Sequence, residues 1–206
     1  MQNAWREGNR FTLLPEATRF LPAMFEAVST ALRYVLVELY LMESGELADQ
    51  VSDALIEAAQ RGVCVCLLLD GYGSMVLSSH DRQRLKQGGV QLRFFNPIGL
   101  HSLALNLSRD HRKIVVIDGE LAFTGGFGAV DEFLNAWYEI ALRIEGPVVA
   151  DWELLFRRLW HSRLTRTERG DGRQQALPER REPQALANGV PGRAMSARGY
   201  RYQAIR

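Results

Sequence analysis

The chain has 206 residues, 47% of them hydrophobic and 24% charged, which is enough apolar mass for one packed domain and excludes a globally disordered chain. With 25 basic residues against 24 acidic ones the formal net charge is +1; that balance supplies no overall pull toward nucleic acid or anionic lipid and argues against a nucleic-acid partner. No apolar run approaches the roughly 18 to 20 residues that span a bilayer, and the opening "MQNAWREGNRF" does not read as a signal peptide.

From Ala17 to Leu32, the residues Phe20, Met24, Ala27, Val28 and Ala31 recur at helical spacing, with Pro22 near the first turn. "RYVLVELYLM" then turns β-branched and aromatic and predicts a strand. "GELADQVSDALIEAAQRG" carries Leu47, Val51, Ala54, Leu55 and Ala58 on one stripe and stops at Gly62, so a helix is expected. "VCVCLLLD" is a nearly all-apolar strand, as expected where helices cover both faces of a sheet. Alternation puts its two cysteines, Cys64 and Cys66, on one face without disulfide geometry. With no neighbouring ligand for a metal they read as core thiols, and the chain as reduced and facing the cytosol.

Further on, "SHDRQRLKQGG" predicts a surface helix closed by Gly88 and Gly89, and "VQLRFF" a strand. After the loop "NPIGLHSLALNLSRD" come three strand candidates, "HRKIVVID", "LAFTGG" and "WYEIALRIEG". Asp118-Gly119 between the first two is a hairpin signal. "PVVADWELLFRRLWHSRL" predicts an amphipathic helix begun at Pro147. The alternation predicts an α/β fold, a mixed sheet sandwiched between helices, over residues 1–164. Residues 165–206 are rich in Arg, Gly, Pro and Ala and show no period; too little apolar surface is available to offset ordering, and a disordered tail is expected.

The chemistry concentrates in "DHRKIVVIDG", residues 110–119. Taken singly, His111 reads as a strand opener, Lys113 as a solvated charge and Asp118 as a turn residue. Taken together, His111 and Lys113 lie two apart, so on a strand both side chains address the same side and can meet one anion. Lys113 is one of only two lysines in a chain otherwise using Arg, and a compact ammonium suits a phosphoryl oxygen. An imidazole beside it suits attack on phosphorus. "TGGFG" offers Gly125, Gly126 and Gly128, where backbone amides can approach a phosphate. Glu139 is available to accept an imidazole N–H and fix its tautomer.

His111, Lys113, Asp118, Gly125 and Gly126 form H-x-K-x4-D-x6-G-G, which resembles the signature of the phospholipase D superfamily. The flanking "GNRFTLL", "ALIEAAQRGVCVCLLLDGYGS", "HRKIVVIDGELAFTGG" and "RIEGPVV" with "LFRRLW" are similar, in order, to the bacterial cardiolipin synthase branch, and the resemblance runs from about Gly8 to Trp160. It implies phosphatidyl or phosphodiester transfer through a phosphohistidine, with no metal or other cofactor. By that resemblance His111 is the nucleophile or its acid partner, Lys113 holds the phosphate, Asp118 supports the motif through local hydrogen bonds, and Glu139 orients the histidine. Gly125, Gly126 and Gly128 border the substrate phosphate. The implied substrate is a phospholipid such as phosphatidylglycerol, met peripherally at the cytoplasmic side of the cell membrane.

Two departures stand out. The family's phosphate-binding Asn two residues beyond the second Gly is replaced by Gly128, and losing such a donor costs on the order of 2 to 4 kcal/mol of transition-state stabilisation. The chain also holds one motif where the lipid enzymes hold two, since neither His80, His101 nor His161 is followed by Lys two places on. Such a chain either pairs with a copy of itself, as small nucleases of the superfamily do, or lacks half its site. The reading is therefore a cardiolipin synthase-like phosphatidyltransferase, an N-terminal half. A homodimeric single-motif nuclease or phosphodiesterase is the alternative, as is a silent half-domain from a truncated or frame-shifted frame. Of the remaining candidates, His80 and His161 read as surface residues, His101 as one that can line the site, and Asp70 as a turn residue. Arg109 and Arg112 read either as positive potential near an anionic headgroup or as simply solvated charges, and Trp137, Trp152 and Trp160 as core.

Overall fold

Every residue from Tyr34 to Leu39 is buried, yet alternate side chains enter different cores. Val35, Val37 and Leu39 pack on one face of the sheet, Tyr34 and Leu36 on the other, which is what the two-residue period of a strand covered on both sides requires. The computed structural model describes residues 4–98, 108–167 and 176–194. Its elements are β1 (Arg6–Pro15), α1 (Ala17–Ser29), β2 (Tyr34–Leu39), α2 (Glu46–Gln60), β3 (Cys64–Asp70), α3 (Ser79–Gln87) and β4 (Gln91–Phe95). There follow β5 (Ile114–Ile117), β6 (Leu121–Gly125), α4 (Glu132–Asn135), β7 (Ile140–Glu145), α5 (Val149–Trp160), β8 (Thr165–Thr167) and β9 (Val190–Gly192).

One mixed sheet runs β8-β4-β3-β2-β5-β6-β7-β1-β9. The strands β2, β3 and β4 are parallel, and every other pairing is antiparallel. The larger core holds Phe20 of α1, Leu47 and Leu55 of α2 and Leu85 of α3 against one face. The smaller core holds Phe156 and Trp160 of α5 against the other, their rings stacked with centroids 5.5 Å apart. Each fully buried Phe or Leu contributes on the order of 1.5 to 3 kcal/mol, which is why these stripes set the layers. The α/β architecture expected from the alternation is the one found.

Several local expectations are corrected. β1 does not stand out in the sequence because its pairing with β7, Arg10↔Glu145 to Pro15↔Ile140, leaves Leu13 exposed and breaks the apolar alternation. β5 starts at Ile114, so His111 and Lys113 precede the strand rather than share one of its faces. Trp137 is half exposed, whereas Trp160 is in the core. The hairpin at Asp118 is present, with three residues between Ile117 and Leu121. Asp118 and Gly119 both adopt positive φ, 53° and 73°, and a Cβ at Gly119 would come 2.4 Å from the Tyr34 hydroxyl, so only glycine suits that turn.

Within the segment read from sequence as a tail, β8 pairs with β4 and β9 pairs with the start of β1. Composition alone missed this because the anchors are polar and dispersed. Arg157 and Arg180 donate to the Pro178 and Ala150 carbonyls, Arg181 pairs with Glu120, and the Asn9 amide donates to the Val190 carbonyl. Ala194 and Leu177 add apolar contacts to the smaller core.

Candidate active site

Strand direction creates the site. The C-terminal ends of β2, β3 and β6 and the N-terminal ends of β5 and β7 meet at one edge of the sheet, the edge where open α/β sheets hold their ligands. Residues 108–113 cross this edge as irregular backbone. Within that segment the imidazole of His111 stacks on Tyr40, just beyond β2, with centroids 3.9 Å apart and planes at 21°. Lys113 folds back so that Nζ donates to the His111 carbonyl at 2.7 Å and lies 5.4 Å from the Tyr40 ring centre. The two side chains therefore converge through a common aromatic neighbour, although not by the strand parity expected from sequence.

Both titratable groups are shifted. Burial pushes the His111 imidazole below its ordinary value and the Lys113 ammonium adds to that, with Asp70 and Asp110 opposing. Burial likewise pushes Lys113 down, opposed by Asp110, Glu139 and Asp70. A neutral imidazole beside a partly desolvated ammonium has the chemistry to attack an electrophile while the ammonium offsets negative charge.

The remaining sequence candidates separate into two groups. Glu139 precedes β7, and its carboxylate occupies the space beside Gly126: a Cβ there would lie 2.0 Å from Oε2. Gly125 fits between β6 and β7, where a Cβ would be 2.4 Å from the Ile140 carbonyl oxygen. Gly128 is buried, and a Cβ would meet the Leu41 carbonyl oxygen at 3.0 Å and the Phe133 ring at 3.2 Å. An Asn at this place would have to displace both. Asp118 sits at the opposite end of β5, where its carboxylate accepts the backbone N–H groups of Leu32, Arg33 and Tyr34 at 2.8 to 2.9 Å. That ties the hairpin to the start of β2 and gives Asp118 a structural position remote from His111.

Sequence reasoning missed the layer beneath. Asp70, at the end of β3, does form the expected turn, accepting from Tyr72 N and Gly73 N, but it also accepts Asp110 N at 2.9 Å. Arg109 and Arg112 are directed inward rather than solvated, with side chains 7% and 22% exposed. Arg109 donates to the Asn96 carbonyl and lies 3.6 Å from Asp70. Arg112 Nε is 2.6 Å from Glu38 Oε1 and 3.1 Å from Asp110 Oδ1. Glu38 is completely buried in β2; burial and the adjacent Asp110 hold its carboxyl well above the usual range, against the pull of Arg112. The signal available in "YVLVELYL" was a lone acid in an apolar strand, which demands a buried partner. His80 and His161 are exposed, as expected, and His101 lies outside the described residues. Among the described residues no group of three or more His, Cys, Asp or Glu is placed to hold a metal ion, and no helix is long and apolar enough to cross a membrane.

The sequence matches the family described as cardiolipin synthase, PLD-like domain, over residues 24–160. Cardiolipin synthase B of Salmonella typhimurium is 42% identical over 158 residues, which are 73% of this chain and 38% of that protein. Its Escherichia coli K12 counterpart is 38% identical over the same shares. Cardiolipin synthase 1 of Bacillus cereus is 34% identical over 155 residues, 72% of this chain and 30% of that one. The chain thus spans less than two fifths of the length of these relatives. Among solved structures, the phospholipase D family member Nuc from Salmonella typhimurium superposes with a TM-score of 0.62 at 16% identity, covering 79% of this chain and 99% of that one. NucT from Helicobacter pylori gives 0.57 at 15% identity, over 75% and 97%. These two likenesses concern the fold.

Proposed function

The chain belongs to the cardiolipin synthase, PLD-like domain family, and from that premise we propose that it transfers a phosphatidyl group between alcohols with His111 as nucleophile. The observation that carries the reading is the 42% identity to a cardiolipin synthase across the segment that includes the whole site. A His111 ring nitrogen forms a bond to phosphorus as the bond from phosphorus to the first alcohol oxygen breaks, and that oxygen takes a proton from a second imidazolium. The second alcohol then gives its proton to that imidazole, its oxygen bonds to phosphorus, and the bond to His111 breaks. Lys113 offsets charge on the phosphoryl oxygens, Glu139 orients the site, and the backbone at Gly125, Gly126 and Gly128 borders the phosphate.

The second imidazole comes from a second motif, supplied by another copy of the chain about a two-fold axis or by a second half. Phosphatidylglycerol is the donor, reached by peripheral contact at the cytoplasmic side of the membrane. Half-exposed Trp137 and more exposed Tyr138, directly before Glu139, support that contact, because such rings suit a lipid interface.

Incubation of the full chain with phosphatidylglycerol vesicles tests this, with cardiolipin and released glycerol as readouts. Formation of both, lost in His111→Ala, is expected. Cleavage of DNA without lipid turnover would assign the site to nucleic-acid phosphodiesters instead, and turnover surviving in His111→Ala would remove the histidine from its role.

A further inference from the structure

We propose that Glu38 is a positioning residue for His111 and Lys113: through Arg112, its buried carboxyl group fixes the segment that presents both. The proposal rests on the reading of His111 as the reacting base. Asp110 and Arg112 bracket His111 in the chain, and both are tied inward. Asp110 N donates to Asp70 of β3, while Arg112 Nε lies against Glu38 of β2 and Asp110 together. Arg112 also reaches the Leu155 carbonyl of α5, and its own N–H points to Asp110 Oδ1 at 3.4 Å. With its two neighbours held from β2, β3 and α5, the His111 side chain lies on Tyr40.

Three buried carboxyl groups, Glu38, Asp70 and Asp110, meet the guanidinium groups of Arg109 and Arg112, and Arg112 Nε stands between two of those carboxyls. A guanidinium held against two buried carboxyl groups is strongly oriented, and it fixes the backbone that carries it. Lys113 and His111 both interact electrostatically with the Asp110 and Asp70 of this cluster. A solely structural pair would behave differently, because exchanging buried ionic groups for an apolar residue of similar volume is often neutral for stability.

One readout tests the proposal without needing turnover. NMR of the His111 ring is expected to keep its Tyr40 ring-current shift in Glu38→Gln, which keeps a polar oxygen beside Arg112, and to lose it in Glu38→Leu. Arg112→Gln, too short to span both carboxyls, gives the same loss should Glu38→Leu fail to fold. Turnover in Glu38→Leu is expected to fall about tenfold in kcat with KM unchanged. An unmoved His111 ring in Glu38→Leu or Arg112→Gln would overturn the positioning role, whereas absence of lipid turnover in the wild-type chain would overturn only the activity on which it rests.

Discussion

The imidazole of His111 lies flat against the ring of Tyr40, 3.9 Å between centroids, so the candidate nucleophile is held by an aromatic face before any substrate arrives. The same ring lies 5.4 Å from Lys113 Nζ. Such contacts are worth about 0.5 to 1.5 kcal/mol each. Tyr40→Leu is therefore expected to lower kcat by roughly 5- to 150-fold with little change in KM, and Tyr40→Phe to stay close to wild type. Steady-state kinetics of the two variants check this.

The acid limb of the pH–rate profile should fall below the ordinary histidine value of about 6.5, because burial and then the Lys113 charge disfavour the imidazolium. Lys113→Met removes that charge, so the limb moves upward in pH while the plateau rate drops. The sign for stability follows from the same shift. The unfolded chain takes up this proton first, so the contribution is whole above the unfolded value and is lost as pH falls through the folded one. A limb in Lys113→Met that moves downward would contradict the assignment.

Asp118 accepts three backbone N–H bonds at the start of β2. Net values for hydrogen bonds to charged groups are about 1.5 to 3 kcal/mol, and removing one acceptor leaves several donors unpaired. Asp118→Ala is expected to cost at least about 3 kcal/mol in urea unfolding. The surviving folded protein should titrate His111 as wild type does, which NMR would read directly.

At Gly126 a methyl group and the Glu139 carboxylate compete for the same space. Gly126→Ala is expected to displace Glu139 and lower turnover by about as much as Glu139→Ala does, with the double variant no worse than either. Additive losses in that cycle would show that the two positions act independently.

Much of this was legible because the residues are close in sequence. Apolar stripes at 3.6- and 2-residue periods placed α1, α2, α5, β2 and β3, and the spacing of His111, Lys113, Asp118, Gly125 and Gly126 carried the family resemblance. The layer under His111 was not legible, because Glu38, Asp70 and Asp110 meet only through the strand order β3-β2-β5, which no local pattern encodes. Tyr40 was read as the end of a strand for the same reason. β9 escaped because a short edge strand needs little apolar alternation, β1 because exposed Leu13 breaks its alternation, and the return of residues 176–194 to the domain depends on scattered Arg-to-carbonyl bonds. Gly128 was visible as a departure, but its tight fit against Leu41 and Phe133 required coordinates.

The most direct test of the account is to trap the covalent intermediate. The full chain is mixed with phosphatidylglycerol radiolabelled at phosphorus, quenched in denaturant at mildly alkaline pH, which preserves both the phosphoramidate and the acyl esters, and mapped by peptide mass spectrometry. The account predicts a phosphatidyl adduct on His111, labile to acid and absent from His111→Ala. Label on another residue, or label of equal amount in His111→Ala, would contradict it.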